Sequence, residues 1–254
     1  MQSRFLKQFI YGVFYIGVLS GIVWLGFFAA FGGGSCFDER RNGDETGIDC
    51  GGSCASCELK NLKPIEVPRV ATFDLGGGRV SGLFEFRNSN VRYGADPFTY
   101  AIVFLDSNGS ALGTTTRQSF IYPGEIKFTV EADIEAPPGF TNVRVETGNF
   151  SWQPAENFSR PEVVARGIES ELRAGSREAV VTGFASNLST SDLAQVAVNV
   201  AITGPAGATG AAARTLIESL APREERFFKV VVPGVSLGAV PRGSVRISFE
   251  ARRR

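Results

Sequence analysis

The chain has 254 residues, with 26 Lys and Arg balanced by 26 Asp and Glu, 43% hydrophobic residues and 20% charged ones. The balance gives no electrostatic footing for nucleic acid, and beyond its N-terminal stretch the composition is that of a soluble protein with room for one or two domains. Histidine is absent, which excludes Ser-His-Asp and Cys-His catalysis, imidazole metal ligation and imidazole pH sensing in one step.

Residues 9–31 carry no charge. As a helix the run rises about 34 Å, enough to cross a hydrocarbon core. A cleaved signal peptide carries an apolar stretch of only about 7–15 residues. Segment 1–33 is therefore predicted to be a short cytoplasmic N-terminus and a retained transmembrane anchor. Arg4 and Lys7 precede the run, while Asp38, Glu39, Asp44 and Glu45 dominate its far side. Positive charge stays in the cytoplasm, so the expected topology is a single pass through the cytoplasmic membrane, N-terminus inside and all later domains outside. Ala30-Phe31-Gly32 as a cleavage site and Gly33-Gly34-Ser35-Cys36 as an acylation site are rival readings. The length of the run counts against both, and Gly33 stands where a lipid-bearing cysteine usually has an aliphatic residue three places upstream. Within the anchor, Gly17 and Gly21 form a small-xxx-small face on which helices pair, a route to a homo-oligomer.

A 33–35 joint leads into segment 36–58, which holds every cysteine of the chain: Cys36, Cys50, Cys54 and Cys57. Outside the membrane, four cysteines in a segment too short to own a core are read as two disulfides, with all three pairings open. A four-thiolate zinc site fits the spacing but not an oxidising compartment. A thioredoxin-like role for Cys54-Ala55-Ser56-Cys57 lacks its βαβ context. Asp38, Asn42, Asp44, Glu45 and Asp49, set around Gly43 and Gly47, offer oxygen ligands for calcium without the spacing of an EF-hand. The competing reading is turn residues with solvated carboxylates. Calcium ranks above zinc here, and no cofactor ranks above both.

Beyond a connector at 58–64 the pattern is β. Short alternating runs such as Arg79-Val80-Ser81-Gly82-Leu83-Phe84-Glu85-Phe86 and Ile126-Lys127-Phe128-Thr129-Val130 are bounded by Gly, Pro, Asn and Asp. Ser107-Asn108-Gly109 marks a hairpin turn. The region is internally duplicated at an offset near 100 residues. Val80-Ser81-Gly82 recurs as Val181-Thr182-Gly183, and Asn88 as Asn187. The run Tyr122-Pro123-Gly124-Glu125-Ile126-Lys127-Phe128 recurs as Ala221-Pro222-Arg223-Glu224-Glu225-Arg226-Phe227, and Asn142-Val143-Arg144-Val145 as Ser244-Val245-Arg246-Ile247. A repeat that long is a whole domain, so two tandem sandwiches are expected, at 60–155 and 160–254, joined as a semi-rigid rod by a short polar linker. Asn108, Asn149, Asn157 and Asn187 each begin an Asn-x-Ser sequon and are read as turns.

On these residues each repeat resembles the FxLYD-type bacterial extracytoplasmic β-sandwich. The signature is Phe104-Leu105-Asp106-Ser107-Asn108-Gly109 in the first repeat, degraded to Ala201-Ile202-Thr203-Gly204 in the second. Residues 42–57 are similar to a module of secreted and surface proteins, N-G-x-E-T-x-x-D-C-G-G-x-C-x-x-C with an upstream Cys-x-Asp, although Glu39 stands where that module usually has Gly. Nearly the whole chain resembles bacterial envelope proteins that join an anchor, a cysteine segment and such a β domain, a group whose resemblance implies location and fold but no activity.

The expected architecture is all-β: two tandem immunoglobulin-like β-sandwiches preceded by one transmembrane helix and a small disulfide-rich segment. The expected function is a non-enzymatic scaffold, adhesive or envelope-assembly protein without catalytic residues. Its partners would be the lipid bilayer and a protein of the cell envelope, not nucleic acid. The alternative is a calcium- or ligand-responsive surface sensor built on the acidic cysteine segment.

Overall fold

The structure, a computed structural model, describes residues 2–31, 35–173, 175–204, 209–235 and 243–254. Residues 32–34, which include the 33–34 part of the predicted joint and the Gly32 and Gly33-Gly34 positions of the cleavage and acylation readings, lie outside the described residues. The chain divides into two compact units, Met1–Leu62 and Lys63–Arg254.

In the first unit, helix α1 (Gln2–Phe31) contains a span, Arg4–Phe27, long and apolar enough to cross a membrane, and none of it is buried against the protein. Gly17 and Gly21 lie within it, each with nothing inside 4 Å of where a Cβ would stand. The cysteine segment after the helix ends in a short 3₁₀ turn, Cys57–Asn61, capped by the Ser56 hydroxyl, which accepts from the Glu58 N–H.

The second unit is β throughout. Its first repeat comprises β1 (Glu66–Gly76), β2 (Arg79–Arg87), β3 (Tyr93–Leu105), β4 (Ala111–Ile121), β5 (Ile126–Glu135), β6 (Asn142–Gly148) and the short β7 (Trp152–Pro154). The second comprises β8 (Val163–Leu172), β9 (Ala179–Asn187), β10 (Leu193–Thr203), β11 (Thr209–Leu220), β12 (Glu225–Val232) and β13 (Val245–Arg253). Antiparallel sheets β1-β2-β5 and β4-β3-β6 form one sandwich, with β7 added to β3; sheets β12-β9-β8 and β11-β10-β13 form the other in the same order. The duplication read from the sequence is thus a duplication of strand order. Each sandwich encloses its own core. The first is aromatic, around Phe84, Phe86, Phe98, Tyr100 and Phe104; the second is aliphatic, around Val181, Leu193, Val196, Val198, Val200 and Ile202.

The register also corrects one repeat alignment. Phe128 pairs with Glu85 as Phe227 pairs with Phe184, and Asn88 and Asn187 occupy equivalent corners, every pair 99 positions apart. Gly82 therefore matches Val181, and the Val-x-Gly match made on the sequence is two residues out. A two-residue slip preserves which side chains face inward, so alternation alone cannot detect it.

Candidate functional site

The described residues place their densest polar chemistry where the two repeats meet. Strand β5 is an edge of the β1-β2-β5 sheet, and an open edge presents unpaired amides and carbonyls. Here the outer face of β11-β10-β13 covers it. The Val130 N–H donates to Asn199 Oδ1 at 3.0 Å, and the Val130 carbonyl accepts from Arg214 at 3.3 Å. Small residues make this approach close: Ala201 and Ala212 pack with Leu83, Phe128 and Val130 into a third buried cluster. The Ser81 hydroxyl donates to the Ala212 carbonyl at 3.2 Å. Arg246 lies 5.3 Å over the Phe128 ring and 3.6 Å from the Glu85 carboxylate.

A buried ion pair sits beside this cluster. Lys127 Nζ is 2.8 Å from Glu250, with 1% of the lysine side chain exposed, and also donates to Ser119 at 3.0 Å. The Asn199 amide donates to the other Glu250 oxygen at 2.8 Å. Burial opposes ionisation of Glu250, but the Lys127 ammonium and these hydrogen bonds outweigh it and hold the carboxyl below its ordinary range. Next to it, the Tyr100 hydroxyl donates to Glu131 at 2.7 Å, and Arg214 and Arg117 flank the same carboxylate at 3.5 and 3.7 Å. Burial first, then the Glu131 charge, pushes the Tyr100 phenol far up. The Tyr122 hydroxyl donates to the Ala251 carbonyl at 2.7 Å, closing the far end of the seam. A cleft of about 480 Å³ opens along it, lined by Gln118, Glu131, Gln195, Arg214, Glu250 and Arg252 among others. The expected linker-joined rod is thereby replaced by two sandwiches that share a charged, partly buried seam.

In the cysteine segment the bridges are Cys36–Cys54 and Cys50–Cys57. Of the five proposed calcium ligands, Asp38, Asn42, Glu45 and Asp49 are linked by hydrogen bonds and Asp44 bonds Ser53 instead, and their polar atoms mostly serve turns. Asp49 accepts the backbone N–H groups of Asp38 and Glu39; buried Glu45 accepts those of Asn42 and Asp49. Asp38 accepts from the Asn42 amide at 2.7 Å and Asp44 from the Ser53 hydroxyl at 2.8 Å. Those two hydrogen bonds are the leading reason both carboxyls sit below their usual range. Glu39 takes a left-handed φ of 59°, the conformation a glycine would adopt freely at that place. Glu45 lies beside Cys36 and Cys54, whose sulfurs are already bridged to one another.

The sequence reading missed the seam. One signal was present: Asn199 interrupts the apolar run from Val196 to Ile202 on the face opposite Val196, Val198 and Val200. Lys127 gave no such signal, because one lysine in an alternating strand reads as solvent-facing. Asn187, read as a sequon and turn, is fully buried; its amide donates to the carbonyls of Ser191, Leu220 and Ala221.

No protein-family model matches the chain, and no curated protein matches it. Among solved structures, red sea bream transglutaminase is similar with a TM-score of 0.26 and 12% identity, over 76% of this chain. The chain covers 30% of that structure's length, and a likeness this slight carries no argument about fold or activity.

Proposed function

We propose that the chain is a single-pass, membrane-anchored, non-enzymatic display protein of the bacterial envelope, its N-terminus cytoplasmic and its β-sandwiches outside as interaction domains. The observation that carries this reading is α1. Fifteen or more large apolar side chains along it, from Phe5 to Phe27, stand exposed. Each contributes about 1.5–3 kcal/mol when removed from water, so the helix is stable only inside hydrocarbon or against another apolar surface. The two disulfides support an oxidising location for the chain beyond the helix. The absence of histidine and the engagement of Glu131 and Glu250 in ion pairs support a binding rather than a catalytic role. Resemblance to FxLYD-type envelope domains supports the same reading.

The test is extraction and protease accessibility of the full chain in its membrane. Retention after alkaline carbonate washing, with the 36–254 region cleavable only from the outer side, is the expected result. Release into the alkaline supernatant would overturn the anchor, and protection from outside protease would overturn the orientation. A calcium-responsive segment would have to take Asp49 and Glu45 away from the amides they now cap. Titrating the full chain with calcium distinguishes it, because a cross-linked collar alone gives no saturable heat.

A further inference from the structure

The seam joins unlike faces. The first sandwich contributes its β1-β2-β5 face and edge, and the second contributes the outer face of β11-β10-β13. Because the sandwiches are repeats, each also carries the face that the other uses. The second sandwich has its own equivalent of the first face on β12-β9-β8, and the first has its own equivalent of the second on β4-β3-β6. Phe184 and Phe227 on β12-β9-β8 stay exposed, and the β4-β3-β6 face meets the seam at one end, where Ser119 contacts Glu250 and where Phe120 and Asp96 contact Arg252.

The correspondence is residue by residue. Phe128, 4% exposed in the seam, matches Phe227, which is 55% exposed. Glu85 matches Phe184, and the Phe184 and Phe227 rings meet edge-on at 5.7 Å in open solvent. On the receiving face, Ala201 pairs with Ala212 and Arg246 as Val103 pairs with Thr114 and Arg144. Both hairpins carry a register shift at the same place, Ile202/Thr203 and Phe104/Leu105, which fixes that match. The second receiving face thus keeps the arginine, but it has Val103 and Thr114 in place of the two alanines, and Ala101, Thr116 and Gly148 in place of Asn199, Arg214 and Glu250. Arg246 stacks on Phe128 in the seam, while Arg144 is mostly exposed and pairs with its neighbour Glu146 at 2.8 Å. Two exchanges add opposite charges. Lys229 replaces Val130 on one face, and Glu146 replaces Ser248 on the other.

We infer that the partner of the exposed Phe184/Phe227 face is the β4-β3-β6 face of a second copy of this chain, docked as the first sandwich is docked on the second. The contact continues an interface the molecule already makes once internally. Its halves are unlike, so association is head-to-tail and leaves a free face at each end. This deepens the display reading by naming the partner, and rests on that reading only in taking the sandwiches as interaction domains.

The test places a photo-crosslinking p-benzoylphenylalanine at Phe227 in the full chain, in detergent and in its membrane. A ladder of dimer, trimer and higher bands is expected, with Phe227 joined to peptides from β4 or β6. Phe227→Glu and Arg144→Glu, both at exposed positions and checked for unchanged melting, should each abolish a ladder read by a general amine crosslinker. Mixed together they should give a dimer and nothing larger, since one variant keeps only the donating face and the other only the receiving face. Val91→Glu, at an exposed site away from both faces, should leave the ladder intact. Monomers alone, a dimer joined through β12 on both sides, or a ladder that survives both substitutions would overturn the inference. Capture of a different protein at Phe227, with no self-crosslink, would overturn self-association while leaving the display reading standing.

Discussion

Lys127 and Glu250 are the residues whose removal should be felt most. Breaking one side of a buried pair strands the other charge, at a cost of about 3–5 kcal/mol, whereas replacing both with apolar groups is close to neutral. Lys127→Met is therefore expected to lower unfolding stability by about 3 kcal/mol or more, and Lys127→Met with Glu250→Leu to recover most of it, read by chemical denaturation. The pH dependence has a definite sign. Because the folded carboxyl of Glu250 is depressed below its ordinary value of 4.5, its contribution is full above that value and is lost as pH falls through the depressed one. Melting temperature should drop as the pH is taken below the ordinary carboxyl range, and Glu250→Gln should flatten that drop. The corner asparagines behave differently. Asn88 donates to the Tyr93 and Tyr122 carbonyls, and Asn187 to the carbonyls of three residues. Alanine at either should cost about 2 kcal/mol or more, because partly or fully buried carbonyls lose a side-chain donor. These two were legible as a recurrence in the sequence; their burial was not, because an Asn before a turn looks the same whether it caps a corner or faces water.

At the scale of elements, β5 shows what pattern reading resolves and what it does not. Its strand character was plain from Ile126-Lys127-Phe128-Thr129-Val130, and so was the turn before it. That turn is set by a left-handed residue in both repeats, Gly124 at φ 64° and Arg223 at φ 61°. A carboxylate closes it in both, with Glu125 accepting the Tyr122 N–H and Glu224 the Ala221 N–H. The Ala221 amide is the largest reason the Glu224 carboxyl is lowered. What alternation could not say is that the outward side of β5 is also dry. Asn199→Leu should leave the Val130 N–H without its acceptor, costing about 1–3 kcal/mol. Its specific signature is faster hydrogen exchange at Val130 while amides deep in β2, such as Phe84, stay protected.

For the whole molecule, anchor, cysteine segment and paired β domains were each legible as separate blocks, because each has its own composition or period. How the two β domains meet was not. A docking face is made of the residues a strand turns outward, and in one sequence those look like surface. The division into units also makes a prediction. The 36–62 region owns almost no core and depends on Cys36–Cys54 and Cys50–Cys57, where a bridge closing a loop of about 15 residues contributes about 3 kcal/mol. Gentle reduction should open this region to protease while the melting of Lys63–Arg254 is unchanged. A melting transition that moves with reduction would show that the two units stabilise one another.

The covered edge of β5 has a consequence for how the protein is made. Lys127 and the Glu250 that neutralises it are 123 residues apart, and ribosomes add about 5–20 residues per second. For roughly 6–25 s, then, the first sandwich exists with its edge strand bare and its lysine unpaired, at the stage when a nascent chain is most open to joining the wrong neighbour. Charges along that strand, Lys127 near its start and Glu131, Asp133 and Glu135 in its second half, help keep such a bare edge from pairing with another. The lysine that later lies buried beside the seam thus first serves as a guard, and β13 is the strand that relieves it.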